Sequence, residues 1–112
     1  MSRLDALRAL KKAVEDGTAT YDHFNVVWPP DDLNHCRLNN YAWRAFNDDL
    51  NAARALHDAV RPGWAWCIHG NVAGVAPATA SYIMRDAKTA ANPARAWLLA
   101  LIASLIDEEE GK

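Results

Sequence analysis

The sequence predicts an α+β domain: a small antiparallel sheet of two or three strands packed with three helices, in the order α-α-β-β-(β)-α. Two observations carry this reading. Helical periodicity with matching start and stop signals occurs near the N-terminus, before residue 61 and after residue 92. Between the last two, Trp64, Trp66 and Ile68 alternate with Ala65, Cys67 and His69, the period of two that sends alternate side chains to one strand face.

With 112 residues, 51% apolar and 23% charged, the chain has the size and balance of one globular domain, spanning 1–112. No apolar run approaches the length of a membrane span, and the first residues lead into an amphipathic pattern rather than a signal peptide. A cytoplasmic location is therefore expected, with Cys36 and Cys67 as free thiols. The formal net charge of −2 argues against direct nucleic-acid binding by phosphate neutralisation, which needs a basic patch.

Ser2 is a good N-cap, Leu4, Leu7, Leu10 and Val14 follow at helical spacing, and Gly17 stops the run, predicting a helix over 3–16. Residues 18–46 read as an irregular elaboration. Tyr21, Phe24 and Trp28 have helical spacing, but Pro29-Pro30 interrupts it. A short helix from Pro30 through Cys36 would end at Asn39-Asn40, and Tyr41, Trp43 and Ala45 alternate as in an extended segment. Asn47 or Asp48 then caps a helix over 48–60, whose stripe is Leu50, Ala53, Leu56, Ala59 and Val60. Pro62-Gly63 ends it.

The tryptophan strand turns at Gly70-Asn71, glycine first as a type II′ loop requires, and pairs back with Val72–Ala76. That register sets Trp66 opposite Val75, Cys67 opposite Gly74 and Ile68 opposite Ala73. Residues 81–85 read as a third strand. Asn92-Pro93 opens a helix over 93–107 whose stripe is Ala94, Trp97, Leu98, Leu101, Ile102 and Leu105. The helices over 48–60 and 93–107 are expected to lie across the sheet. The predicted core is Leu56, Trp66, Ile68, Val75, Leu98, Leu101 and Ile102.

The block from Tyr41 to Glu109 resembles small phage and prophage proteins of unknown function grouped as the phage α-β-α sandwich domain. The resemblance rests on the capped, alanine-rich Asn47-Asp48-Asp49-Leu50-Asn51-Ala52-Ala53, on Gly63-Trp64-Ala65-Trp66, and on Asn92-Pro93 opening an alanine- and leucine-rich helix. It implies a fold and a phage setting, with residues 18–40 falling outside the shared pattern.

Chemistry-bearing clusters are weak. Cys67 and His69 share a strand face, and His35-Cys36 is a second pair, but no metal-ligand spacing joins them, so no metal site is expected. Cys36 or Cys67 with a histidine is the enzymatic alternative. His57, however, sits at a position suited to the exposed helix face, and no phosphate loop, nucleophile elbow or carboxylate pair is present. The chain is accordingly read as no enzyme, without a cofactor. From Tyr21 to Leu50 the acids Asp22, Asp31, Asp32, Asp48 and Asp49 face only Arg37 and Arg44, interleaved with aromatics. An exposed surface of Trp28, Asp31, Asp32, Tyr41, Trp43, Asp48 and Asp49 is the expected interface for a host or mobile-element protein with a basic surface. An anti-defence, anti-CRISPR-like inhibitor is its most concrete version. The acidic end, Asp107-Glu108-Glu109-Glu110, and a homodimer through a sheet edge or the Cys67–His69 face are further expectations, as is a structural phage protein.

Overall fold

The computed structural model describes residues 2–29, 33–80, 83–84 and 86–112, with only the backbone for 33–36. Along the described chain the order is α1 (Arg3–Asp16), α2 (Tyr21–Val27), α3 (Leu33–Phe46), α4 (Leu50–Val60), β1 (Ala65–His69), β2 (Val72–Ala76), β3 (Lys88–Thr89) and α5 (Pro93–Glu110). The three strands form an antiparallel meander in the order β1-β2-β3, so the fold is α+β.

Local signals set both ends of α1. The Ser2 hydroxyl accepts from the Asp5 N–H, and Gly17, at φ 74°, takes the left-handed turn that returns the chain toward α2. Asn92 does the same for α5, accepting from the Arg95 N–H, with Pro93 at the first helical position. The hairpin register is the expected one, and Gly70, at φ 62°, supplies the left-handed first position of its turn.

Helix α5 carries more than the predicted stripe. Ala96, Leu99, Ala100 and Ile106 are buried as well as Trp97, Leu98, Leu101 and Ile102, so the middle of the helix is covered on all sides. It packs against α1, α3 and α4 and against all three strands. The helix over 48–60 was expected to share the sheet with it. Instead α4 packs mainly on α3 and α5, and the sheet face is covered chiefly by α5.

Residues 18–46 are not an irregular elaboration. Among the described residues they hold two helices, α2 and α3. The Thr20 N–H donates to Nδ1 of His23, closing the first turn of α2. In α3, Asn39-Asn40 does not stop the helix. Asn39 is buried, its carbonyl accepting from the Tyr21 hydroxyl at 3.3 Å and its amide donating to the Asn25 side chain. A buried asparagine with partners on α2 holds the helix where its own propensity would not.

Three further readings need correction. The third strand is Lys88–Thr89; Ile83 and Met84 lie in a turn, while Ser81, Tyr82 and Arg85 lie outside the described residues. The chain there crosses β2 at Gly74, where an added Cβ would sit 2.6 Å from the Ile83 carbonyl oxygen. The helix predicted over 48–60, α4, begins at Leu50, because Asp48 sits at φ 73° in the turn and Asp49 is the cap. Trp66 is not core: it is 39% exposed and Ile68 is half-buried, because β1 is an outer strand of the sheet; Val75, on the central strand, is half-buried as well. Leu56, Leu98, Leu101 and Ile102 are fully buried.

Leu101→Ala should lower unfolding free energy by about 2–5 kcal/mol in urea titration, since the surroundings cannot collapse around a helix packed on every side.

Candidate functional site

The joint between α4 and β1 builds the surroundings of a cleft. His57 is buried and bonded at both ring nitrogens: the Trp97 Nε1–H donates to Nδ1 at 3.2 Å, and Nε2 lies 2.9 Å from the Trp64 carbonyl oxygen. An indole N–H can only donate and a carbonyl can only accept. The ring is therefore the neutral tautomer carrying its proton on Nε2. Placing His57 on the exposed helix face was incorrect; the turn after α4 brings Trp64 and α5 over it.

One turn later, Arg61 ties the same joint to the end of α5. Its guanidinium donates to the Ser104 hydroxyl and carbonyl at 3.1 Å each and to Glu108 at 2.7 Å, and stacks 4.7 Å above the Trp64 ring. The Arg61 hydrogen bond holds the Glu108 carboxyl below its ordinary value of 4.5. The Ser104 hydroxyl donates in turn to the Leu101 carbonyl, so its proton is committed within the helix.

Beside this joint, at the end of the sheet away from the hairpin turn, lies a cleft of about 380 Å³. Its walls are Trp64, Val75, Ala76, Pro77, Ala80 and Ile83, with Ala100 and Ala103 of α5. Its ionised lining groups are Asp86 and Asp107, both exposed. Among the described residues neither has an ion-pair partner, whereas Glu108, Glu109 and Glu110 are paired with Arg61, Arg3 and Lys112, and Arg8. The cleft thus joins apolar walls to two exposed carboxylates, a combination that suits a cation carried on an apolar stem.

The residues singled out in the sequence do not form one exposed surface. Trp28 is 3% exposed and belongs to the core. Trp43 is half-buried between Tyr21, Phe24 and Phe46, with ring centroids 5.9–6.2 Å apart across that cluster, and Tyr41 packs against the same core. Asp49 accepts from the Ala52 N–H and from Arg44 at 2.8 Å, and the helix-end hydrogen bond, with Arg44, holds its carboxyl below 3.8. Asp48 is exposed in the turn before it. Asp31 and Asp32 lie outside the described residues. The aromatics face inward because α2 and α3 are helices that bury one side, which the extended reading did not anticipate.

The cleft residues were missed because Trp64, Asp86 and Asp107 are far apart in the chain and carry no shared spacing. Whether a terminal acid is paired is a tertiary property, so nothing in the sequence set Asp107 apart from its neighbours. Among the described residues no group of three or more His, Cys, Asp and Glu side chains is placed to hold a metal ion. Cys67 is half-buried on the sheet face away from α5, and Cys36 is outside the residues whose side chains are described. Compared with protein-family models, curated proteins and solved structures, the chain matches none.

His57→Phe keeps the volume but leaves the Trp64 carbonyl and the Trp97 N–H without partners. Each loss costs about 1–3 kcal/mol, measurable as a fall in the urea midpoint with the slope unchanged. Glu108, with its folded value depressed, contributes stability that is complete well above pH 4.5 and is lost as pH falls through the lower folded value. Glu108→Gln should therefore flatten the acid side of a melting-temperature profile and leave the neutral side parallel to the parent's.

Proposed function

We propose that this protein acts by binding another protein, taking a lysine or arginine of its partner into the cleft between the C-terminal half of α5 and the chain after β2. One observation carries the reading: Asp86 and Asp107 line an apolar cleft without ion-pair partners among the described residues, while the neighbouring glutamates are neutralised within the fold. A basic side chain would lay its methylene stem along Val75, Ala100 and Ala103 and place its charge at the carboxylates. Exposed acids at the mouth also favour encounter with a positively charged surface.

The setting of that binding rests on the resemblance to phage and prophage proteins. It supports an accessory protein that engages a host or mobile-element protein, with anti-defence inhibition as the concrete form. The interface moves from the aromatic-acidic segment at 21–49 to the cleft, because Trp28 and Trp43 are committed to packing. What favours binding over catalysis is the state of the candidate groups: the Ser104 proton and both nitrogens of His57 are engaged in structural hydrogen bonds.

The test is capture from bacterial lysate with tagged parent, Asp107→Lys and Asp86→Lys proteins, beside Asp5→Lys as a charge control on α1. The expected outcome is a captured protein retained by the control and lost from both cleft variants, with the parent interaction weakening as salt rises. Equal capture by all four proteins would place the interface elsewhere.

A further inference from the structure

The outer edge of β1 has a hydrogen-bonding pattern that is complementary to itself. Ala90 donates to the Asn71 carbonyl at 3.1 Å and Ala73 pairs with Lys88, so the odd residues of the β2 strand point their backbone groups toward β3. The even residues of β2 therefore bond β1 through Ala65, Cys67 and His69, their register partners. The backbone groups of Trp66 and Ile68 consequently point away from the sheet. Among the described residues nothing bonds to them.

The edge is short and bounded. At one end Trp64 is already closed off, its N–H donating to the Arg61 carbonyl and its carbonyl bonded by His57. At the other end the Gly70-Asn71 turn leaves the strand direction. Along Ala65–His69 there is no proline, no bulge and no Lys, Arg, Asp or Glu, which are the devices that protect free edges. Trp66, 39% exposed, lies on this edge.

We propose that β1 pairs antiparallel with β1 of a second copy of this chain, about a two-fold axis through Cys67. In that register Trp66 of each copy meets Ile68 of the other as a hydrogen-bonded pair, so every open N–H and C=O of the two residues gains a partner. Neither alternative does this. An axis through Trp66 would need the backbone of Trp64, which is occupied, and an axis through Ile68 would set Trp66 against the turn. The second copy is also the right length. Its strand ends in its own hairpin turn opposite Trp64, so it covers both open residues and needs nothing from the occupied Trp64 backbone. The meander becomes a continuous six-stranded sheet with each Trp66 beside an Ile68 of the other copy.

The register makes a positional prediction. The two Cys67 side chains face each other across the axis in a non-hydrogen-bonded pair, the closer kind of antiparallel pair. Ala65 faces His69 of the other copy. With Cys36→Ser leaving Cys67 as the sole thiol, mild oxidation should give a disulfide-linked dimer. In a background of Cys36→Ser and Cys67→Ser, chains carrying Ala65→Cys and chains carrying His69→Cys should cross-link when mixed and fail to do so separately. Ile68→Pro removes an outward N–H and no bond within the hairpin. It should yield a folded monomer by circular dichroism and light scattering, while the parent scatters as a dimer. A parent that stays monomeric across a concentration series overturns the proposal and leaves the edge to a strand of another protein. Equal cross-linking of Ala65→Cys or His69→Cys chains alone overturns it too. If Ile68→Pro does not fold, the cross-linking pattern decides.

Discussion

The burial of α5 on all sides is the constraint on which the rest depends. A helix whose middle carries Trp97, Leu98, Leu99, Leu101 and Ile102 cannot be covered by one layer, so the chain must surround it. The sheet takes one side, α1 another, and α3 and α4 close the remainder. This explains why a sheet of only three short strands suffices: it is one wall of an enclosure built largely of helices, and needs to bury a single face. It also gives α3 its place, because a flank of α5 lies beyond the reach of a short meander.

Enclosing α5 forces a sharp passage from α4 into β1, and a neutral histidine holds it. His57 receives the Trp97 N–H from α5 and occupies the Trp64 carbonyl at the start of β1, so one ring links three elements. Trp66 then stacks on Trp97 with centroids 4.5 Å apart, and Arg54 of α4 covers it at 5.3 Å. The joint has two consequences at opposite sides of β1. It sets Trp64 as a wall of the cleft, and it bounds the free edge at Trp64, before Trp66.

Charge is distributed by the same enclosure. Glu109 and Glu110, at the negative end of the α5 dipole, come beside Arg3 and Arg8 at the start of α1, and Glu108 beside Arg61. The acidic run that looks unfavourable along its own helix is therefore compensated across the fold, although the mostly exposed Arg8–Glu110 pair contributes little to stability. Asp107 points into the cleft instead of toward α1, which separates it from its neighbours in role as well as in pairing.

The sequence by itself determined the elements whose causes are adjacent residues. Ser2 and Gly17 bound α1, Asn92-Pro93 opens α5, and Gly70-Asn71 with period-two alternation specifies the hairpin and its register. Each depends on a cap, a turn geometry or a strand pleat satisfied within a few residues. Tertiary structure decided the rest. Asn39 stays helical because Tyr21 and Asn25 arrive opposite it, and His57 is buried because Trp64 and Trp97 do. Trp66, with the strongest apolar signal in its strand, is part-exposed because strand order makes β1 an edge. The cleft was illegible for the same reason: whether a carboxylate is paired or open depends on what another element brings to it, and no local spacing encodes that encounter.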